Sequence, residues 1–352
     1  MKGATLDGPR GGVSIFSRLS KFTVVILTVG LSLFLALSTD TFANSSNIIS
    51  IIYAMSFSAV VSFSFTFLMI MGEIDLSVGS VYGWSGAFTG LLIMKFGIPM
   101  PLSIALVLLI SAGVGLGIGI LVTVGRLNSM MVTLGFLSIF VGLQNMTVTQ
   151  INKAYAPVYK DIATPTIFGI HWLIVVAIIA VIVLEIFQRK SVLFRRVYIV
   201  GQNIDTARIA GIKAVKIKLL FFSLSTVGAA LGGILAGARI GSPQIETGNG
   251  LEFTLVTAAV LGGASLFGGK GSVLMTYVSL LFLQIISTGL NIYKVEPVAQ
   301  QIFVGVILVI AVLIDTNMNS ESALYRSQRR LRGRSSPDTA AAVSSESNGG
   351  GE

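Results

Sequence analysis

Two carboxylates, Glu73 and Asp75, separate an apolar run that ends at Met71 from another that begins at Leu76. A charge at the centre of a membrane helix costs roughly 2.5–3.5 kcal/mol on insertion scales, so the pair needs a reason to be there. Two chemistries fit. An intramembrane carboxylate can carry a proton or ion through a self-sufficient transporter, or it can accept backbone N–H groups at a helix start. Gly72, Gly79 and Ser80 mark a broken or tightly turned backbone, which is tolerable in lipid only where protein or a water-filled cavity satisfies the freed groups. On the second chemistry, Asp75 or Ser77 caps the helix that follows.

No other chemistry competes with these two. The chain has no cysteine and a single histidine, His171, beside Trp172 at the mouth of an apolar segment, where it reads as an interfacial residue. There is no Ser-His-Asp set and no metal-ligand cluster, so neither catalytic nor metal residues are assigned and an enzyme is not expected. Gly268-Gly-Lys-Gly-Ser272 has the look of a phosphate loop, but Ala264 and Gly271 stand where the Walker pattern needs Gly and Ser or Thr. The alternating Gly113, Gly115, Gly117 and Gly119 lie inside an apolar segment with no strand before them, so they suit close helix packing rather than a dinucleotide.

The elements that position these residues follow from composition. Of 352 residues, 53% are hydrophobic and 11% charged, with a mean hydropathy of +0.87; a soluble domain carries about 25% charge. Hydropathy predicts an all-α integral membrane protein of about ten spans, at 22–38, 47–71, 76–94, 102–124, 129–149, 172–188, 219–238, 253–266, 273–290 and 298–314. The eighth is short, so the Gly-rich turn after it is expected to lie partly in the membrane. All eight prolines fall in predicted loops or tails. Of the 24 Lys and Arg, only Lys95, Lys153, Lys160, Arg239 and Lys294 lie on the side opposite the N-terminus, which predicts both termini in the cytoplasm. A cleaved signal peptide is the rival reading of the first run, but removing that span inverts the charge bias. The net charge of +9 thus reports orientation rather than nucleic-acid binding.

The expected organisation is a cytoplasmic arm at 1–21, a membrane domain at 22–314 and a disordered cytoplasmic tail at 315–352. Residues 321–352 are poor in apolar bulk and expected to be disordered. Their arginines, from Arg326 to Arg334, suit either anionic lipid headgroups or a simple stop-transfer anchor. The loop at 189–218 carries eight basic residues and a short helix, with Asn203 as N-cap and Gly211 as terminator. Ala207 and Ala210 would be exposed on it for contact with another protein. Polar residues on the spans, Gln144, Asn145, Thr147, Gln284 and Asn291, would face a solute path or bond neighbouring helices.

Three blocks carry a resemblance. They are Gly72 to Ser80; Gly201, Asn203, Ala207, Arg208, Gly211 and Ile212; and Gly248, Gly250 and Glu252 running through Val260-Leu-Gly-Gly-Ala-Ser-Leu-Phe-Gly-Gly-Lys-Gly271. With these the chain resembles the membrane permease subunit of ribose-type ABC importers, a family that includes xylose, arabinose, galactose and furanosyl-autoinducer permeases. The resemblance covers roughly residues 47–315. It implies a multi-pass protein of the bacterial cell membrane that imports a simple sugar, with a second permease chain, a cytoplasmic ATPase and an extracytoplasmic solute-binding protein as partners. ATP would be bound by the ATPase, with no cofactor in this chain. It further implies ATPase coupling through Asn203, Ala207, Arg208, Gly211 and Ile212, and binding-protein docking at Lys95, Arg239, Glu246 and Glu252. Gly72, Asp75, Ser77 and Gly79 would form one hinge, paired with another at Gly263, Gly268, Gly269 and Gly271. Glu73 replaces the family's usual glycine, and Thr254 stands where many sugar members have aspartate. Nucleoside, autoinducer and branched-chain amino-acid permeases are the alternatives within the class; an ion-coupled secondary transporter is the alternative outside it.

Overall fold

The computed structural model describes residues 13–151 and 154–334. In chain order the elements are α1 (Val13–Ser38), α2 (Ser45–Ile70), α3 (Val78–Met94), α4 (Met100–Thr123), α5 (Ser129–Val148) and the one-turn α6 (Pro157–Lys160). A two-residue hairpin follows, β1 (Thr166–Ile167) and β2 (Ile170–His171), antiparallel with Thr166 opposite His171. Then come α7 (Trp172–Lys190), α8 (Val192–Gln202), α9 (Ile204–Ile209), α10 (Ala214–Ile240), α11 (Leu251–Leu261), α12 (Val273–Ile292) and α13 (Pro297–Arg334). Every expected apolar segment is a helix. Among the described residues seven helices are long and apolar enough to cross a membrane; Thr23–Ser38, Val78–Met94 and Leu251–Leu261 are apolar but shorter.

Local chemistry sets the helix starts. The side chains of Asn44, Asn128 and Ser272 accept the first free N–H groups of α2, α5 and α12. Pro101 occupies the first turn of α4, where its missing N–H costs nothing. Hydroxyls within the bundle mostly bond back along their own helix, as Thr66 does to the Ser62 carbonyl at 2.6 Å and Thr89 to that of Ser85 at 2.8 Å. Such bonds let polar side chains enter an apolar interior without an unmet donor.

Helix α10 is the centre of the bundle, packed against α2, α3 and α4. Glycine makes this possible. A Cβ on Gly233 would overlap the Tyr82 carbonyl, one on Gly232 would come within 2.9 Å of the Phe57 carbonyl, and one on Gly237 within 3.2 Å of Gly86 Cα. Where lipid removes the hydrophobic drive between helices, this close backbone approach supplies packing in its place. The glycine row of α4 divides as helical spacing requires: Gly115 and Gly119 meet α10, while Gly113 and Gly117 face open space.

The bundle has two ends. One carries α8 and α9. At the other, residues 154–171 fold across the helices, pinned by the Tyr53 hydroxyl donating to the Ala163 carbonyl at 2.6 Å and by the buried Tyr159 hydroxyl between the Gly86 and Ile234 carbonyls at 3.0 and 2.9 Å.

Two expectations change. Helix α13 continues to Arg334, so residues 315–334 are helical where a disordered tail was expected; extending an existing helix avoids the nucleation cost that an isolated segment would meet. Residues 335–352 and the arm at 1–12 lie outside the described residues. The cause of α11's shortness also moves: the segment before it, residues 241–250, dips into the bundle. Gly83 packs on the Thr247 carbonyl and Gly79 on that of Gly248. Since Asp75 bonds Ser225 and Tyr82 meets Gly233, Gly79 lies beside the middle of α10, and α11 begins there.

Gly233→Leu is therefore expected to lower the denaturation midpoint in detergent sharply, whereas Gly117→Leu leaves it within error. Thermal unfolding of the purified variants checks both, with overpacking worth about 1–3 kcal/mol or more.

Candidate functional site

At the α9 end three sequence-distant turns share one junction. The Gly269 N–H donates to the Ile70 carbonyl at 2.7 Å, closing the C-terminal end of α2 with the loop between α11 and α12. A Cβ on Gly201, at the end of α8, would overlap that same carbonyl and reach 2.8 Å from Gly269 N. A Cβ on Gly268 would lie 2.8 Å from the Gly201 carbonyl and 2.9 Å from Gly72 N. Gly72, Gly268 and Gly269 all have positive φ, from 75° to 82°, which glycine adopts without strain. The two expected hinges thus touch each other, and the loop helix segment joins them. Tyr198 of α8 donates to the Gly271 carbonyl at 2.6 Å, and Gln188 bonds both Tyr198 and, through Oε1, the Val273 N–H at 3.1 Å. Gly263 turns the chain after α11 at a φ of 84°.

The two carboxylates of the break are engaged. Glu73 forms an ion pair with Lys218 at the start of α10. Asp75 is fully buried; Oδ1 accepts from the Ser77 N–H at 3.0 Å and from its hydroxyl, while Oδ2 accepts from the Ser225 hydroxyl at 2.9 Å. Ser77 is the N-cap residue of α3 but makes no side-chain capping bond, so the capping expectation shifts. Asp75 instead braces the turn just ahead of α3 and ties it to α10.

Helix α9 forms as its caps dictate. The Asn203 carboxamide oxygen accepts from Asp205 N and Thr206 N at 2.8 and 3.0 Å. At the other end Gly211, at a φ of 71°, donates to the Arg208 carbonyl, and Ile212 N–H reaches the Ala207 carbonyl at 2.9 Å. This paired pattern satisfies the last carbonyls of the helix. Ala207 corrects the sequence reading: it is fully buried, in a cluster with Phe194, Val197 and Ile217, because it lies on the inner face of a two-turn helix. The outer face shows Arg208, Gly211 and Ile209, the last 89% exposed.

Halfway along the bundle two cavities flank Gly248 and Asn249. The larger, about 280 Å³, is lined by residues of α2, α3, α11, α12 and α13, including Ser58, Tyr82, Thr254 and Gln284. The smaller, about 180 Å³, is lined by Ser80, Gln144, Asn145, Glu246 and Glu252 among others. Gln144 is buried and its amide donates to the carbonyls of Gln244, Ile245 and Thr247 at 3.0–3.2 Å, so it clamps the dipping loop. Asn145 presents a buried Oδ1 with no hydrogen bond. Asn291 lines neither cavity and accepts from Gln300 at 2.7 Å.

Of the rim charges, Lys95 and Glu246 are exposed, and Lys95 bonds Gln150 at 2.7 Å. Arg239 lies over the Tyr53 ring, 4.7 Å from its centre, with His171 stacked on the same ring at 4.0 Å. Glu252 is not at the rim: it is 5% exposed, inside the bundle where Gly79 leaves room for its carboxylate. The sequence reading also missed Lys218, Ser225, Ser58 and Tyr82. Each sits on an otherwise ordinary helix face, and only the fold brings it to a site.

Comparison with known proteins supplies the family. The ribose import permease protein of Bacillus subtilis is 31% identical over 274 residues, 76% of this chain and 84% of the relative. The D-allose transport system permease protein of Escherichia coli is 28% identical over 295 residues, 83% and 90% of the two chains. The L-arabinose transport system permease protein of Escherichia coli is 28% identical over 312 residues, 87% and 94%. No solved structure matches the chain. The family model for the permease component of branched-chain amino acid transport systems matches residues 47–312, across the glycine junction, α9 and both cavities, and the chain belongs to that family of membrane transport permeases.

Proposed function

We propose that the chain is the membrane permease subunit of an ABC importer for a simple sugar. The observation that carries this is its similarity, over most of its length, to permeases named for ribose, allose and arabinose. In this reading the chain crosses the bacterial inner membrane ten times with both termini in the cytoplasm, and it pairs with a second permease chain. The α9 end faces the cytoplasm and receives an ATPase, which binds the ATP. The opposite end, with Lys95, Arg239 and Glu246, receives the solute-binding protein.

The mechanism follows from where the contacts lie. Force on α9 passes through Gly201 to the Ile70 carbonyl and the loop at 267–271, and through α10 to the Lys218–Glu73 pair. Both routes end at the break before α3, whose first turns wall the smaller cavity. ATP-driven movement of α9 thereby alters access to the middle of the bundle. An ion-coupled transporter needs a carboxylate free to change protonation. Glu73 is paired and Asp75 is held by two serines, so neither carboxylate at the break is free for that role.

Reconstitution into vesicles with the partner ATPase and binding protein tests the proposal. Uptake of D-ribose, D-allose or L-arabinose that requires ATP and both partners, and persists without an ion gradient, is the expected result; uptake by the permease alone, following a proton or sodium gradient, contradicts it. Ile209→Asp places a charge on the exposed apolar contact of α9 and is expected to weaken ATPase binding at least tenfold, measured by co-purification at graded concentrations. Asp75→Asn retains an acceptor for the Ser77 N–H and is expected to import near the wild-type rate. Asp75→Ala leaves Ser77 and Ser225 without that partner and is expected to import clearly more slowly, with a stability loss of about 1–3 kcal/mol. Initial rates of uptake give the ordering.

A further inference from the structure

We infer that the larger cavity, inside a single chain, is a binding chamber for an uncharged polyhydroxyl solute of monosaccharide size. This rests on the sugar-importer reading above and goes further by naming the residues that hold the solute. The cavity measures about 280 Å³, near the lower end of small-molecule sites, and none of its lining residues is charged. A neutral lining gives an anion or a cation no partner for its charge, so a neutral solute fits.

Thr254 and Ser287 bond within the protein, but the other polar side chains facing the cavity are unspent. Elsewhere in the bundle many buried hydroxyls bond a carbonyl one turn away, as Ser56, Ser62, Thr66, Thr89, Thr257 and Ser279 do, while Ser85 and Ser111 are buried without a partner. Among the described residues the side chains of Ser58, Tyr82, Asn249 and Gln284 form no hydrogen bond with the protein, yet all four line this one cavity. Tyr82 is the sharpest case: its side chain is more than nine-tenths buried and its hydroxyl still lacks a partner. Tyr82 is buried, Ser58 and Gln284 are half-buried and Asn249 is exposed, so the four open onto one space in which their polar atoms await a ligand or water. Hydroxyls and carboxamides both donate and accept, which matches sugar hydroxyls, and the Tyr82 ring adds an apolar face for the sugar's C–H surface.

The position is suited to transit. Gly248 and Asn249, on the loop that dips to the middle of α10, form a wall common to this cavity and the smaller one. Movement of that loop would open the chamber to the neighbouring space.

The test uses the complete importer in vesicles and four probes, D-ribose, D-allose, D-xylose and L-arabinose. With whichever the wild type imports, Tyr82→Phe, Ser58→Ala and Gln284→Met are compared for import rate and for ATP hydrolysed per sugar. Each substitution removes a polar group that bonds nothing in the protein, so a purely structural role predicts no change in either quantity. The chamber predicts import lowered about tenfold in Tyr82→Phe and Gln284→Met, the loss expected when a bound solute forfeits a hydrogen bond, with ATP hydrolysis unchanged and more ATP spent per sugar. Import within twofold of wild type in all three variants overturns the chamber while leaving the importer reading intact. Absence of ATP-driven import of all four sugars by the wild type contradicts the importer reading and withdraws the chamber with it.

Discussion

Breaking a helix inside an apolar bundle releases backbone N–H and C=O groups that apolar surroundings cannot satisfy, and the structure is organised around meeting that demand. The chain is interrupted after Ile70, before Val78 and again between α11 and α12. One carbonyl, that of Ile70, is taken by Gly269, and Gly201 lies directly against it. Glycine is obligatory at such contacts because the approach is backbone to backbone. The freed groups of one break are thus satisfied by the backbone of another, and side chains from Tyr198 and Gln188 complete the set. What would be a defect in a single helix becomes a joint connecting three segments.

That joint gives the carboxylates their meaning. An isolated charge next to the break would be costly, but Glu73 meets Lys218, and Asp75 meets two hydroxyls and a backbone N–H. Both partners outside the break are on α10, the helix that begins just beyond α9 and runs through the centre of the bundle. The ionic contact and the glycine contact therefore link the same two regions by separate routes. On the solvent side of the joint is a short capped helix with an exposed isoleucine; on the other are the first turns of α3, Glu252 in the space left by Gly79, and the two cavities.

Much of this was readable from residue order, for identifiable reasons. Apolar runs of span length have few alternatives, so all ten segments appear as helices, with most ends within a few residues of those expected but α1 starting nine residues earlier and α13 ending twenty residues later. The caps of α9 are local chemistry, and Asn203 and Gly211 act as their residue types imply. The shared composition of Gly and Ser suggested the segments at Gly72 and Gly268 as paired hinges, but not that they touch. What was hidden depends on tertiary contacts. Residues 241–250 are polar and Gly-rich, and hydropathy assigns such a stretch to an outer loop. Only the missing side chains of Gly79 and Gly83 allow it to sink to the middle of α10, carrying Glu252 from rim to interior. Ala207 is small enough for either face of α9, and periodicity over two turns does not choose between them. The helix at 321–334 inherits its nucleus from α13, which composition alone does not register.

The central claim is that α9 acts on the middle of the bundle through the backbone junction at Gly201. The most direct measurement is the ratio of ATP hydrolysed to solute imported by a reconstituted Gly201→Ala importer. A single methyl group there must displace the Ile70 carbonyl from the loop at 267–271 while leaving the outer face of α9 unchanged. The account predicts a permease that still binds its ATPase and supports hydrolysis but imports little, so the ratio rises several-fold. A ratio equal to that of the wild type, with import intact, would contradict it.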